Sequence, residues 1–387
     1  MAGRSRKRIL LIGAGHGHLN VIRDSRSWPD EIELSVVAPG DFWYSGLATG
    51  MLGGQYDVPR DRVDVAALCR GVGATFIGGA LASLDATAKT ATLDDGRVLE
   101  YDVASLNLGS VVNVPPSLDL TGDRAFRVKP ISDLARLRRL LENNPSVRRI
   151  AVVGAGYGGS ECALNLAALG RRLGRGLCVT LLAGEHGPGR HLPSRARATL
   201  RRALDRAGVR VLDARGDDAD LGPPIVVRHG TGEVEADAVL YATGLRPPPL
   251  VSALGLATDD QGHLLVDACL RCVGHAHLFA VGDATNPADA RPFPKIGVIA
   301  VFQGRRLRHN LVTAATGGRL RRYRPGRRHL LILNLGDGTG LAVYGRLHWS
   351  GRSALWLKHL IDERWLRSFQ PFPAESENRI VRRGGHR

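Results

Sequence analysis

Cysteine is scarce in this chain, with five in 387 residues. An odd, low count argues against a disulfide framework and for a reducing compartment. Long apolar runs are missing as well. None reaches the roughly 18 residues that a spanning helix needs, so no transmembrane segment is expected. Met1 to Arg8 is basic but leads straight into a short strand-like run and then glycines. A secretory leader needs a longer apolar stretch and a cleavage site, so none is expected, and the cytoplasm is the expected location. Aromatic residues make up only 5% of the chain, with no aromatic-rich basic platform among them. That removes the main ground for reading the net charge of +16 as a nucleic-acid footprint. Nearly all of the excess is arginine. Arginine scattered over solvated surface accounts for it, and attraction to the negative inner face of a membrane is the sharper alternative. His16 and His18 sit on one turn without further ligands near them, so no metal is expected.

What is present is a glycine turn, met twice. In Ile150-Ala-Val-Val-Gly154-Ala-Gly156-Tyr-Gly-Gly159 an apolar run meets glycines and a helical pattern follows to Leu169. Gly154, Gly156 and Gly159 fit Gly-x-Gly-x-x-Gly. The first makes the tight turn, the second lets backbone N–H groups approach a pyrophosphate, and the third lets helix and strand pack closely. Arg8-Ile-Leu-Leu-Ile-Gly13-Ala-Gly15-His16-Gly-His18 repeats the idea at the start of the chain. Here His18 stands where the third glycine belongs, and a contact of His16 and His18 with a diphosphate or ring edge is expected. Each turn opens the same order of elements: strand, helix, strand, an antiparallel insert, and a strand ending in glycine. The first insert has Asp94-Asp-Gly as its hairpin turn. The expected fold is therefore α/β, with two Rossmann-like (three-layer ββα) dinucleotide-binding domains from an internal duplication. Residues 1–114 and 263–318 form the first and 115–262 the second, inserted one. A small C-terminal α+β domain, 319–387, carries an amphipathic helix and ends in a tail, 371–387, read as disordered. Asp41 to Gly50 reads as a loop with three adjacent aromatics, Pro115-Pro116 as a linker, and the arginine-rich Arg319 to Arg328 as another.

Beyond the glycines, the chain resembles the two-dinucleotide flavoproteins: pyridine nucleotide–disulfide reductases and type II NADH dehydrogenases. The stretches that carry this are Leu106-Asn-Leu-Gly109-Ser, Tyr241-Ala-Thr-Gly244-Leu-Arg-Pro and, most specific, Leu278-Phe-Ala-Val-Gly282-Asp283-Ala. A narrower likeness is to the NADH-dehydrogenase-like module found fused to selenide, water dikinase. It rests on the His18-containing turn, Tyr44-Ser-Gly, Val128-Lys-Pro, His191-Leu-Pro-Ser-Arg-Ala-Arg and Pro294-Lys295-Ile-Gly-Val-Ile-Ala-Val-Phe-Gln303-Gly304. The resemblance implies FAD on the first unit and NAD(P)H on the second, with hydride passing to flavin N5. It implies that Asp283 binds the ribitol of FAD and that Glu161 faces the junction of nicotinamide and flavin. Gly13, Gly15, His16, His18, Pro39, Tyr44, Ser45, Leu81, Gly109, Gly282, Lys295 and Gly297 complete the expected flavin site. Gly154, Gly156, Gly159, Glu161, Glu185 and Gly244 form the expected nicotinamide site. Glu185 would favour NADH through the ribose hydroxyls, whereas Arg190 and His186 would favour a 2′-phosphate; NADH is preferred. Glu161 and Lys295 are the expected catalytic groups, Lys295 beside a helix that starts at Gly297 and would aim its dipole at the flavin N1–C2=O.

The acceptor is less legible. Type II NADH dehydrogenases carry Ala-Gln-x-Ala-x-x-Gln for quinone; here Ala300 and Gln303 match, but Val298 stands for the first glutamine. A small-molecule acceptor, with a quinone as the leading candidate, is expected at Ala300 and Gln303. Cys269-Leu-Arg-Cys272 has redox spacing but lies where this family varies, so a reductase of a dithiol or protein is the second reading. A basic flavin-binding interaction protein is the third. Leu357, Leu360, Ile361, Trp365 and Phe369 fall on one face of the C-terminal helix, either for a membrane surface or for packing over the flavin domain. A homodimer is left open.

Overall fold

The computed structural model describes residues 6–369, apart from 115–121, 185, 213–217, 222–224, 230–231 and 327. The linker expected at Pro115-Pro116, the ribose-reading Glu185 and the tail 371–387 lie outside the described residues.

The apolar run Ile9–Ile12 is buried throughout, as a strand covered on both faces must be. It is the centre of a parallel sheet. Strand Lys7–Ile12 pairs with Ile32–Ala38 on one side, and Thr75–Gly78 follows. On its other side lie Val103–Leu106 and then Leu278–Ala280. The second parallel sheet repeats this plan around Arg149–Val153, with Cys178–Leu182 and Arg210–Leu212 on one side and Ala238–Tyr241 and Ala125–Arg127 on the other. An antiparallel three-stranded insert follows the third strand in each unit: Leu81–Asp85, Thr90–Leu93, Val98–Glu100 in the first, and Asp218–Asp220, Ile225–His229, Gly232–Ala236 in the second. The units differ in where the outermost strand originates. In the first it comes from far along the chain, Leu278–Ala280; in the second it precedes the unit, Ala125–Arg127. The chain passes between units along two crossing strands that pair with each other, Val111–Val112 with Leu245–Arg246.

Two expectations change. Asp41 to Gly50 is not a loop: Phe42–Trp43 is a short strand against Arg62–Val63, and Ser45–Leu52 is a helix. Its small residues gave no helical signal, yet Leu47, Met51 and Leu52 are fully buried, and that burial decides the conformation. The linker expected around Arg321 has no regular secondary structure where described, but it is stitched down. Asn310 Oδ1 accepts from Arg321 N–H while Asn310 Nδ2 donates to Arg321 C=O.

The C-terminal piece is an antiparallel sheet, Leu330–Asn334, Gly340–Tyr344 and Leu347–Gly351, followed by helix Arg352–Arg367. Leu333, Leu341 and Val343 join the core of the second unit. Leu366 and Phe369 join the core of the first. The piece therefore bridges the two units, and the expected single apolar face of its helix is split. Phe369 is buried and Trp365 is partly covered, whereas Leu360 is 48% exposed and Ile361 45%.

Candidate active site

At the second glycine turn each glycine has a distinct task. Gly154 has φ +100°, and a Cβ there would lie 2.5 Å from Ala242 O, so strand ends meet backbone to backbone. A Cβ on Gly159 would collide with Gly154 O; this is the close helix–strand contact. A Cβ on Gly156 would meet nothing within 4 Å. Helix Tyr157–Arg172 starts there without a side-chain cap or an acidic residue in its first turn. Bare N–H groups, a positive dipole end and open space above Gly156 suit a pyrophosphate. Gly244, with φ +89°, and Gly109, with φ +70°, are open in the same way at the ends of their strands.

The first turn solves the same problem with different residues. A Cβ on Gly15 would lie 2.6 Å from Asn107 Oδ1, and Gly13 abuts Asn107 C=O. Asn107 is buried and donates through Nδ2 to Val281 C=O. It ties the turn to the strand that leads into Asp283. Close helix packing falls to Gly17, whose Cβ would lie 2.9 Å from Val281 Cγ2 and whose carbonyl abuts Gly304 of helix Gly297–Thr316. His18 is thereby freed from the glycine role, and it does not face the phosphate mouth as expected. It is fully buried, with Nδ1 bonded to Gly13 O and Nε2 to Ser105 Oγ at 2.8 Å. Burial lowers its pKa to about 4, so the ring is a neutral core strut.

His16 does sit at the mouth. Its ring packs edge-on to Phe42 at 4.8 Å and lies 5.3 Å from Trp365, and it crowds Gly297, where a Cβ would lie 3.1 Å from His16 Nε2. Helices His16–Asp24 and Gly297–Thr316 thus converge at their N-termini, both without side-chain caps. Asp283 lies beside them. Its Oδ2 accepts from Lys129 Nζ at 2.6 Å and from Ser110 Oγ at 2.8 Å. Burial opposes its charge, but Lys129 and Ser110 outweigh that and hold the pKa below the usual carboxylate range. Lys295 is bound by Thr285 C=O and Asn286 Oδ1, both at 2.8 Å; burial lowers its pKa to about 8 against the pull of Asp283 and Asp259. Pro39 is exposed at a strand end and Ser45 is exposed at a helix start, whereas the Leu81 side chain is buried in the first core and offers only backbone.

The expected acceptor residues do other work. Gln303 is fully buried and its Oε1 accepts from Gly282 N–H at 2.8 Å, bracing the turn into Asp283. Ala300 is buried, its carbonyl lying 3.2 Å from where a Gly17 Cβ would be. Helix crossing, invisible to a spacing pattern, turns these two inward. The amide nitrogen of Gln303 and the indole N–H of Trp365 are buried without a partner among the described residues. Orphan donors and bare helix starts suit an acceptor-rich anionic group, and with the Asp283 carboxylate for a polyol they fit FAD.

Glu161 lies where the two units and the C-terminal piece meet. Its Oε1 accepts from Thr49 Oγ1 at 2.9 Å and from Asn334 N–H at 2.8 Å. Burial raises its pKa, opposed by Lys358 and by those two donors. Lys358 donates to Asp362 Oδ2 at 2.9 Å and to Gly46 C=O at 2.6 Å. Tyr44, stacked on Trp365 at 4.6 Å, donates its hydroxyl to Asp362 Oδ1 at 2.7 Å. Sequence reading reached Glu161 and Tyr44 but missed Thr49, Asn107, Lys129, Asn334, Lys358 and Asp362. Val128-Lys-Pro and Leu106-Asn-Leu-Gly109 were the only signals for two of them.

The second unit has an open cleft of about 550 Å³ lined by His186, Arg190, His191 and Arg197. It adjoins the nicotinamide turn: Gly189 N–H bonds Ala155 C=O, and His191 packs edge-on to Tyr157 at 6.4 Å. Cys269 and Cys272 are unbridged, and burial raises both thiol pKa values, that of Cys272 to about 12.

A family model described as pyridine nucleotide-disulphide oxidoreductase matches residues 7–315. The NADH dehydrogenase-like protein YutJ of Bacillus subtilis is 24% identical over 294 residues, 72% of this chain and 77% of that protein. The demethylphylloquinone reductase NdbB of Synechocystis sp. is 27% identical over 198 residues, 50% of this chain and 48% of that protein. The solved structure of the sulfide:quinone oxidoreductase from Aquifex aeolicus matches with a TM-score of 0.77 at 16% identity, covering 94% of this chain and 91% of that one, a likeness of fold. The paired sheets, the glycine turns and a family match over most of the length agree: the chain belongs to the pyridine nucleotide-disulphide oxidoreductase family, as a type II NADH dehydrogenase-like, NAD(P)H-dependent oxidoreductase.

Proposed function

We propose that this enzyme holds FAD on its first unit, takes hydride from NAD(P)H on its second, and reduces a quinone-like small molecule. The observation that carries this is the pairing of two uncapped glycine-turn helices, with Asp283 beside one and Glu161 on the other. FAD, when bound, supplies the two-electron relay between donor and acceptor. The chain supplies orientation and charge. Asp283, held ionised by Lys129 and Ser110, gives the flavin polyol a hydrogen-bond acceptor. Backbone N–H groups at Gly15, His16, Gly156 and Tyr157 hold the diphosphates. Lys295 and the start of helix Gly297–Thr316 put positive potential near the first turn. Glu161 orients the nicotinamide side of the seam.

Support for a quinone acceptor comes from two similar proteins whose names specify quinones, NdbB and the Aquifex aeolicus enzyme. The aromatic group of Phe42, Tyr44 and Trp365 gives a flat ring a surface to stack on. The raised thiol pKa values of Cys269 and Cys272 weigh against dithiol chemistry there. Either coenzyme fits this reading: the cationic cleft at Arg190 and Arg197 suits the extra phosphate of NADPH, and the preference for NADH rests on Glu185. No described helix is long and apolar enough to cross a membrane.

The test is direct. Purified protein should bind FAD tightly enough to be yellow, bleach with NADH or NADPH without oxygen, and regain colour with a soluble quinone. Bleaching followed by no response to any quinone, but turnover with a dithiol that disappears in Cys269→Ser, would transfer the assignment to the dithiol reading.

A further inference from the structure

Asp61 is a carboxyl group that the site described so far does not use. It is fully buried, and both oxygens lack a hydrogen-bond partner among the described residues. Its neighbours in sequence do not help it: Arg60 turns out to Glu363 and Arg62 to Asp41. The charged groups that face it come from helix Arg352–Arg367, namely Asp362 and Lys358. Tyr44 caps it from the other side, its N–H bonded to Asp61 C=O and its hydroxyl to Asp362. Tyr56 is the other titratable group in its field and is pushed up by burial, so it stays neutral. Through Lys358 the group is coupled to Glu161.

The charge count in this enclosure does not close. Asp61, Asp362 and Glu161 share one ammonium, Lys358, which is itself spoken for by Asp362 at 2.9 Å. Three ionised carboxylates around one cation in a desolvated seam are untenable, and the member with no hydrogen bond is the one that must keep a proton. Burial and the adjacent Asp362 raise the Asp61 pKa to about 8. A buried polar group without a partner calls for a reason beyond packing.

We infer that Asp61 is the proton reserve for acceptor reduction, the holding end of a relay into the enclosure it shares with Asp362 and Lys358. This rests on the reading of the chain as an NAD(P)H oxidiser with a two-electron acceptor. The balance calls for a proton: NAD(P)H plus one proton plus acceptor gives NAD(P)⁺ plus acceptor with two hydrogens. The hydride accounts for both electrons and one hydrogen, and a buried carboxyl that keeps its proton at neutral pH can supply the other as H⁺ and regain it from solvent. Asp61 is a proton-holding residue.

The experiment compares the native flavoprotein with Asp61→Asn and Asp61→Glu. Infrared titration should show a protonated-carboxyl band that vanishes near pH 8, is missing in Asp61→Asn and persists, shifted, in Asp61→Glu. Thermal unfolding should show the native Tm falling relative to Asp61→Asn as pH rises from 4 to 8. The folded chain holds a proton there that the unfolded chain has released. In rapid mixing, Asp61→Asn should slow recolouring by quinone relative to bleaching by NADH, by on the order of 100-fold. It should also lose the pH dependence near 8, and Asp61→Glu should restore part of both. No titrating band and parallel Tm profiles would overturn the inference, as would a titrating band with an unchanged ratio of the two steps. Native protein that never bleaches would overturn the parent reading and the relay together, and that outcome is read in the first step alone.

Discussion

Single residues set what this site admits. Gly156 and Gly159 lie three apart on one turn and have opposite sensitivities. Gly156→Ala meets open space at an ordinary φ of −62°, so fold stability should change by no more than about 1 kcal/mol, while affinity for NADH and NADPH falls sharply. Gly159→Ala drives a methyl into Gly154 O and should lower stability by about 1–3 kcal/mol or more, seen in denaturant melts without any ligand. Equal Tm losses in the two variants would contradict this division of labour. In the cationic cleft, Arg190 makes a hydrogen bond to His191 at 2.9 Å and no ion pair among the described residues. Arg190→Ala should raise KM for NADPH by about tenfold or more through loss of a charge-assisted phosphate bond. NADH should be spared. If both coenzymes suffer equally, the cleft does not read the 2′ position.

At the scale of elements, the N-termini of helices His16–Asp24, Tyr157–Arg172 and Gly297–Thr316 owe their positions to tertiary crossings. Gly17 against Gly304 brings helix His16–Asp24 onto helix Gly297–Thr316, and Gln303 then braces the Asp283 turn. Helix Arg352–Arg367 closes the seam from above through Lys358, whose ammonium binds Asp362 and the Gly46 carbonyl in the first turn of helix Ser45–Leu52. Burial alone would lower the Lys358 pKa; Asp362 and Glu161 overcome that and raise it. Lys358→Met leaves both carboxylates without their cation and should cost about 3–5 kcal/mol at neutral pH. The sign of its pH dependence follows from linkage. With the cation gone, the Glu161 pKa, already raised by burial, rises further, so the folded chain holds a proton that the unfolded chain loses. The deficit should therefore be small near pH 4 and grow toward pH 8. A pH-independent deficit would mean that Lys358 contributes packing alone.

For the whole molecule, the C-terminal piece joins the two units and also carries most of the exposed large apolar side chains among the described residues. Leu347 is 71% exposed, Trp356 64% and Leu360 48%. Together with a net charge of +16, this supports attachment to an anionic bilayer surface. Sedimentation with phosphatidylserine vesicles should pull the protein down at low salt, less at high salt, and less for Trp356→Ser. Equal recovery with neutral vesicles, or no effect of salt, would assign the exposed face to another use.

The sequence alone determined the duplicated architecture, because apolar runs meeting glycines are local patterns: each names a strand, a turn and a helix start with no knowledge of neighbours. Family resemblance of short stretches also singled out Glu161, two residues past the second glycine turn, and Asp283, next to Gly282. Tertiary structure decided everything that depends on what lies across from a residue. His18 became a core strut because Gly17 meets Gly304, Gln303 turned inward to Gly282, and Lys358, 197 positions after Glu161 (358 − 161), puts its charge in the field of that carboxyl group. Spacing along a chain reports which side chains share one element. Only the packing of elements from distant parts of the chain tells which charges face each other out of water, and in this enzyme that is where the proton must be held.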